Sequence, residues 1–270
     1  MEELVEASDV AGEAQTEAPV DDFPAIEDSA VRDPESRTAP AAGTIEVVRE
    51  TPHDSTAFTQ GFELFDGRLF ESTGLVGSST VREVDPETGV VLRSLPVPEV
   101  FAEGLTIVDD EIVQITWTDE IAFRYSIDDF TPLGTYSYNG QGWGLCDNGA
   151  QLVMSDGSAT LTFRDRATFD AESTVQVTYN GAPVEELNEL ECVGDSVYAN
   201  IWKSALIVEI DAASGDVLTV YNANALWPEE TRANAQSVLN GIAYDDVEDT
   251  FLLTGKNWPV MYEVRLHSAP

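Results

Sequence analysis

Five short segments of this chain begin alike and recur at the interval of one propeller blade. They are Phe58-Thr59-Gln60-Gly61, Phe101-Ala102-Glu103-Gly104, Gly142-Trp143-Gly144, Leu187-Asn188-Glu189 and Leu239-Asn240-Gly241. Aligned on Gly61, Gly104, Gly144, Glu189 and Gly241, they lie 43, 40, 45 and 52 residues apart, the length of one four-stranded blade. Five such units predict an all-β fold, a five-bladed β-propeller. Radial repeats aim their innermost strands at one axis. The residues just before the aligned position, Gln60, Glu103, Trp143, Asn188 and Asn240, are therefore expected to converge on one channel mouth.

Within each repeat, alternating apolar stretches are separated by turn residues, as in Phe62–Phe65, Asp66-Gly67 and Arg68–Phe70. Such alternation around an Asp-Gly turn reads as a hairpin. Thr44–Arg49 also reads as a strand although it precedes the first repeat, and Val260–Val264 ends the last one. An open ring would leave unpaired sheet edges, so the first strand is expected to complete the final blade beside the last strands. The longest spacing, 52, contains Leu226–Ser237, where helix formers follow Pro228; a short helical insertion is expected there. The domain is placed at 44–267. Residues 1–43 mix Ala, Glu, Asp and Pro without a period and read as an acidic, disordered linker.

The chain carries 50 acidic and 13 basic residues, a net charge of -37. Of these, 12 acids and 2 bases lie in residues 1–43, so the propeller segment is acidic in its own right. That balance repels phosphate backbones and argues against nucleic acid as a partner. A surface rich in Asp and Glu and poor in Lys resembles proteins adapted to high salt, where hydrated carboxylates maintain solubility. No apolar run approaches the length of a membrane span. No leader can be read at the start; a mature exported domain and a cytoplasmic protein with a disordered arm both fit. Cys146 and Cys192 fall on inner strands of neighbouring blades. Two buried thiols are the expected state, with a disulfide as the alternative. No metal-ligand spacing is present, and neither a metal nor a cofactor is expected.

A second set of positions follows each repeat start by a strand-turn-strand distance and should border the same mouth: Glu71–Thr73, Thr116-Trp117, Ser155–Gly157, Asn200–Trp202 and Thr254–Trp258. Together the two sets supply Trp117, Trp143, Trp202 and Trp258, the acid Glu103, the amides Gln60, Asn188 and Asn240, and the cation Lys256. Such a collection suits a small polar ligand. Asp156 reads as a turn residue, and Glu189 and Glu191 are expected in hydrogen-bonding roles.

These segments resemble a known family. Pro52–Asp54, Ala57–Gly61, Glu71–Gly74, Gly142–Leu145, Met154–Gly157, Leu187–Glu191, Ala199–Trp202, Leu239–Ala243 and Thr254–Pro259 are similar, in order and spacing, to the plant and bacterial type of glutaminyl-peptide cyclotransferase. The resemblance implies a five-bladed propeller, an aminoacyltransferase that converts N-terminal glutamine of peptides or proteins to pyroglutamate with loss of ammonia. It implies Glu103 as the catalytic acid/base and Gln60, Trp117, Trp143, Asn188, Trp202 and Lys256 as pocket residues, Lys256 also being a candidate for stabilising charge. Phe58 and Phe101 match neighbouring apolar lining. His53 is expected to be structural. The family's habit implies action outside the cytoplasm, secreted, periplasmic or surface-tethered, and a monomer is expected. Two other readings stay open: a non-catalytic propeller that binds peptide N-termini, and a metal-dependent hydrolase on the same fold.

Overall fold

The computed structural model of the chain describes residues 41–228, 231–232 and 234–268. Four-stranded antiparallel sheets form five blades. Blade I comprises Thr59–Phe65, Arg68–Thr73, Thr80–Val84 and Val91–Pro96. Blade II comprises Ala102–Val108, Glu111–Thr116, Ile121–Ser126 and Pro132–Ser137. Blade III comprises Leu145–Asp147, Leu152–Met154, Thr160–Arg164 and Ala171–Gln176. Blade IV comprises Leu187–Val193, Ser196–Ile201, Leu206–Asp211 and Val217–Asn222.

Blade V takes Leu239–Asp245, Thr250–Gly255 and Val260–His267 from the end of the chain and Thr44–Pro52 from its beginning. Thr44–Pro52 runs antiparallel to Val260–His267, from Thr44 opposite His267 to Pro52 opposite Val260. This is the closure expected from the sequence. Ala41 and Ala42, read as linker, add a parallel strand to the outer edge of blade IV opposite Thr219 and Val220. Gly43 follows them, its N–H donating to the Val220 carbonyl at 2.9 Å, and residues 1–40 of the predicted linker lie outside the described residues.

Glycine at the repeat position has a steric cause. The first strand of each blade lies beside the first strand of the next, closing a ring around the axis. A Cβ on Gly61 would stand 2.4 Å from the Leu105 nitrogen, one on Gly104 2.7 Å from the Leu145 nitrogen, and one on Gly144 2.1 Å from the Asn188 oxygen. Only a residue without a side chain permits that approach. The fourth position is Glu189, whose carboxylate accepts the backbone N–H of Phe62 at 3.1 Å and of Ile242 at 2.8 Å. Blade IV thus reaches across the channel to blades I and V.

Two expectations are corrected. Among the described residues of 226–237 the predicted helix reduces to a 3-10 turn at Thr231, whose N–H donates to the Pro228 carbonyl at 2.9 Å, and the others pass through turns and bends. Asn222 and Asn234 accept the backbone N–H groups of Asn224 and Gln236, turns that compete with helix. The carbonyls of Leu226 and Ser237 are held instead by the Tyr262 hydroxyl and the Trp258 indole N–H. Second, Cys146 and Cys192 are joined in a disulfide, not buried thiols. The inner strands of blades III and IV bring their Cα atoms to 5.5 Å, within bridging range.

Candidate active site

The mouth is built where the ladders break. Between the first and second strands of blades I, II, IV and V, the register slips across Thr59/Gly61, Ala102/Leu105, Leu187/Leu190 and Leu239/Ile242. Gln60, Glu103, Asn188 and Asn240 sit inside these irregularities, which re-aim side chains away from the regular pleat. All four are buried.

Glu103 and Lys256 are the ionisable pair of the site, only 5% and 3% exposed. Burial pushes the Glu103 carboxyl well above the usual carboxylate range, and Lys256 only partly offsets this. Burial likewise lowers the Lys256 ammonium to about 8, against the pull of Glu103. Lys256 lies 5.0 Å from the centre of the Phe58 ring, a cation–π distance.

The amides are ordered by a chain of donors. Asn240 donates its Nδ2 hydrogens to the Thr59 carbonyl at 3.0 Å and to Gln60 Oε1 at 3.1 Å. A backbone carbonyl only accepts, so the nitrogen of Asn240 faces Thr59, and the end of Gln60 that meets this nitrogen is its oxygen. The Nε2 of Gln60 is left as the free donor. Asn188 Oδ1 and Asn240 Oδ1 are buried without a hydrogen-bond partner. Asn240, expected to line the mouth, is fully buried and acts on Gln60.

Aromatic rings form the wall. Phe58 meets Phe101 edge-on at 6.1 Å, Phe101 meets Trp117 at 5.8 Å, and Trp143 meets Trp202 at 5.3 Å and 84°. The Trp143 ring covers Gly157, where a Cβ would approach to 2.6 Å. Lys203 places its ammonium 4.3 Å over Trp202. One carboxamide oxygen, Gln141 Oε1, accepts the indole N–H of both Trp117 at 2.8 Å and Trp143 at 2.9 Å. Neither Gln141 nor Lys203 stood out in the sequence; the one signal for Gln141 was its place between Gly140 and Gly142.

Trp258, expected at the mouth, is 1% exposed and packs with Leu226, Tyr262 and Trp227 in the core beside blade V. His53 is structural, as expected: Nδ1 meets the Trp258 carbonyl at 2.9 Å and Nε2 meets Glu71 at 3.0 Å. Glu71 also accepts from Thr59 Oγ1 at 2.7 Å, tying this buried pair to the strand that carries Gln60. Burial raises the Glu71 carboxyl, but His53 and Arg82 bring it below its ordinary value. Asp156 accepts the Ser158 N–H in a turn.

The chain is a closed five-bladed propeller in which a buried acid, a buried cation and a run of aromatic rings lie at the starts and turns of the inner strands. The chain belongs to the glutamine cyclotransferase family: the profile described as Glutamine cyclotransferase matches residues 24–266. A glutaminyl-peptide cyclotransferase of Arabidopsis thaliana is 38% identical over 231 residues, covering 83% of this chain and 72% of the relative. The crystal structure of Myxococcus xanthus glutaminyl cyclase superposes with a TM-score of 0.81 at 39% identity, covering 86% of this chain and all of that one.

Proposed function

We propose that this chain is a glutaminyl-peptide cyclotransferase in which Glu103 moves the protons. The observation that carries the catalytic assignment is Glu103 itself, an acid 5% exposed on the irregular first strand of blade II, held well above its ordinary pKa by burial and drawn to Lys256, which lies over Phe58. The α-nitrogen of an N-terminal glutamine attacks its own γ-carbon, forming the ring C–N bond. The bond to the side-chain nitrogen then breaks and ammonia leaves. Nothing is oxidised.

A free α-amine has a pKa of about 7.7 to 8.0, so much of it is protonated at neutral pH. Glu103 as carboxylate accepts the proton lost on attack and returns it to the departing nitrogen. A raised pKa brings base and acid closer to the ammonium they serve, which favours both transfers. The aromatic rings Phe58, Phe101, Trp117, Trp143 and Trp202 fold the flexible side chain back toward the amine, supplying the near-attack geometry. The free Nε2 donor of Gln60 and the Lys256 ammonium receive the charge that develops on the γ-oxygen. The unpartnered Oδ1 of Asn188 accepts a hydrogen from the substrate's amine or amide.

The disulfide supports work in an oxidising, extracytoplasmic compartment. The charge of -37 supports a salt-rich setting. Among the described residues no helix is long and apolar enough to cross a membrane.

The test is incubation with a Gln-initiated peptide, with and without chelator, read by mass spectrometry for loss of ammonia. Turnover indifferent to chelator is expected, and Glu103→Gln abolishes it with the fold intact. Binding without turnover, or near-normal activity in Glu103→Gln, would refute the assignment.

A further inference from the structure

We infer that Gln141 is a positioning residue that joins the two halves of the aromatic wall into one unit. The rings follow one another around the mouth as Phe58, Phe101, Trp117, then Trp143 and Trp202. The first three are linked by edge contacts across blades I and II, and the last two across blades III and IV. Between Trp117 and Trp143 the link is the Gln141 oxygen, which accepts from both indoles.

The local chain is shaped to hold that oxygen in place. Gly140 takes φ 88°, a left-handed conformation costly for other residues, and donates its N–H to Glu120 at 2.8 Å. A Cβ at Gly142 would approach the Tyr138 hydroxyl to 2.6 Å and the Thr116 oxygen to 2.9 Å, and its N–H donates to the Trp117 carbonyl at 3.0 Å. Gln141 is pinned on both sides while its side chain reaches the indoles. Trp117 is 41% exposed, so packing alone does not fix its ring. The fork of two N–H groups on one acceptor sets the spacing between the walls.

An acceptor with two lone pairs is what the position requires, and Gln141 donates to neither ring. The consequence is specific. If the wall folds glutamine into its reactive conformation, releasing its two halves lowers kcat more than it raises KM, because the lost restraint matters most at the transition state. The inference rests on the cyclotransferase reading and is distinguishable from it, since it compares variants of an enzyme already shown to be active.

The experiment is steady-state kinetics on a Gln-initiated peptide for the wild type, Gln141→Leu and Gln141→Glu, with thermal melts alongside. Losing two hydrogen bonds of ordinary worth predicts that Gln141→Leu falls about thirtyfold in kcat/KM, chiefly in kcat, with a melt lowered by at most a few degrees and the fold intact. Gln141→Glu keeps an acceptor of the same reach and recovers to within about threefold of wild type. A Leu variant with wild-type kinetics, or a Glu variant as impaired as the Leu variant, overturns the inference. Absence of turnover in the wild type would instead overturn the reading on which it rests.

Discussion

Glu103 and Lys256 attract each other from buried positions, yet in both the loss of water outweighs the attraction. The acid is raised and the base is lowered. Each side chain is thereby moved toward neutrality, the condition under which protons pass readily between enzyme and substrate near pH 7.

Burying Glu103 has a thermodynamic signature. Its folded pKa lies above the unfolded value of 4.5, so folding is unpenalised below pH 4.5 and loses stability as pH rises toward the folded pKa. Glu103→Gln removes that loss. Thermal melts across pH should show the variant more stable than wild type at pH 7, with the gap closing near pH 4. A gap independent of pH would contradict the burial of an ionisable acid here.

Lys256 titrates at about 8 when buried, so its charge is present below that pH and lost above it. If the ammonium stabilises the developing oxyanion, kcat falls on the alkaline side near that value. Lys256→Met should lower kcat about a hundredfold and abolish this alkaline limb, leaving a flatter pH profile. Retention of the limb in the variant would assign it to another group.

Asn240 sets the orientation of Gln60 from beneath. With Asn240→Ala, Gln60 Oε1 loses its donor and the amide is free to rotate, so a donor no longer faces the pocket in every molecule. Activity should fall about tenfold with a modest loss of stability for the unpaired Thr59 carbonyl. Gln60→Ala, measured alongside, should be no worse when combined with Asn240→Ala than alone; additive effects would separate the two residues.

The Cys146–Cys192 disulfide closes a loop across two blades with a sequence separation of 46. Chain-entropy reasoning assigns it about 4 kcal/mol. Denaturation of Cys146→Ser/Cys192→Ser should show a loss of that order, and thiol titration of the unfolded wild type should detect no free thiol before reduction.

Carboxylates dominate the surface and salt screens their repulsion, the Debye length shrinking from about 10 Å at 0.1 M to about 3 Å at 1 M. The melting temperature should climb over that range of sodium chloride. A flat or falling curve would remove the case for a salt-adapted surface.

The sequence shows those features that sterics impose. Gly61, Gly104 and Gly144 were readable as a repeat because backbone packs on backbone at each, and no other residue fits. Glu103, Phe58 and Trp143 were readable through their fixed offset from those glycines. Gln141 was not, since a polar residue in a surface loop carries no periodicity and its role exists only once two distant tryptophans meet. Trp258 lies 17 residues after Gly241, whereas Trp117 and Trp202 each lie 13 after Gly104 and Glu189, and its ring turns into the core against Leu226 and Tyr262. The turns seen among the described residues of 226–237 reflect the same limit: Asn222, Asn234 and the distant donors Trp258 and Tyr262 hold backbone groups there that a continuous helix would use.

The last blade is stitched from both termini, with Thr44–Pro52 waiting for partners some two hundred residues downstream. During synthesis, blades I to IV emerge with their own hairpins complete, but the ring stays unsealed until Val260–His267 clears the ribosome. Completion is therefore all or nothing. A chain stopped before Val260 would leave blade V without the strand that Thr44–Pro52 pairs with, exposing an edge ready to join another nascent copy.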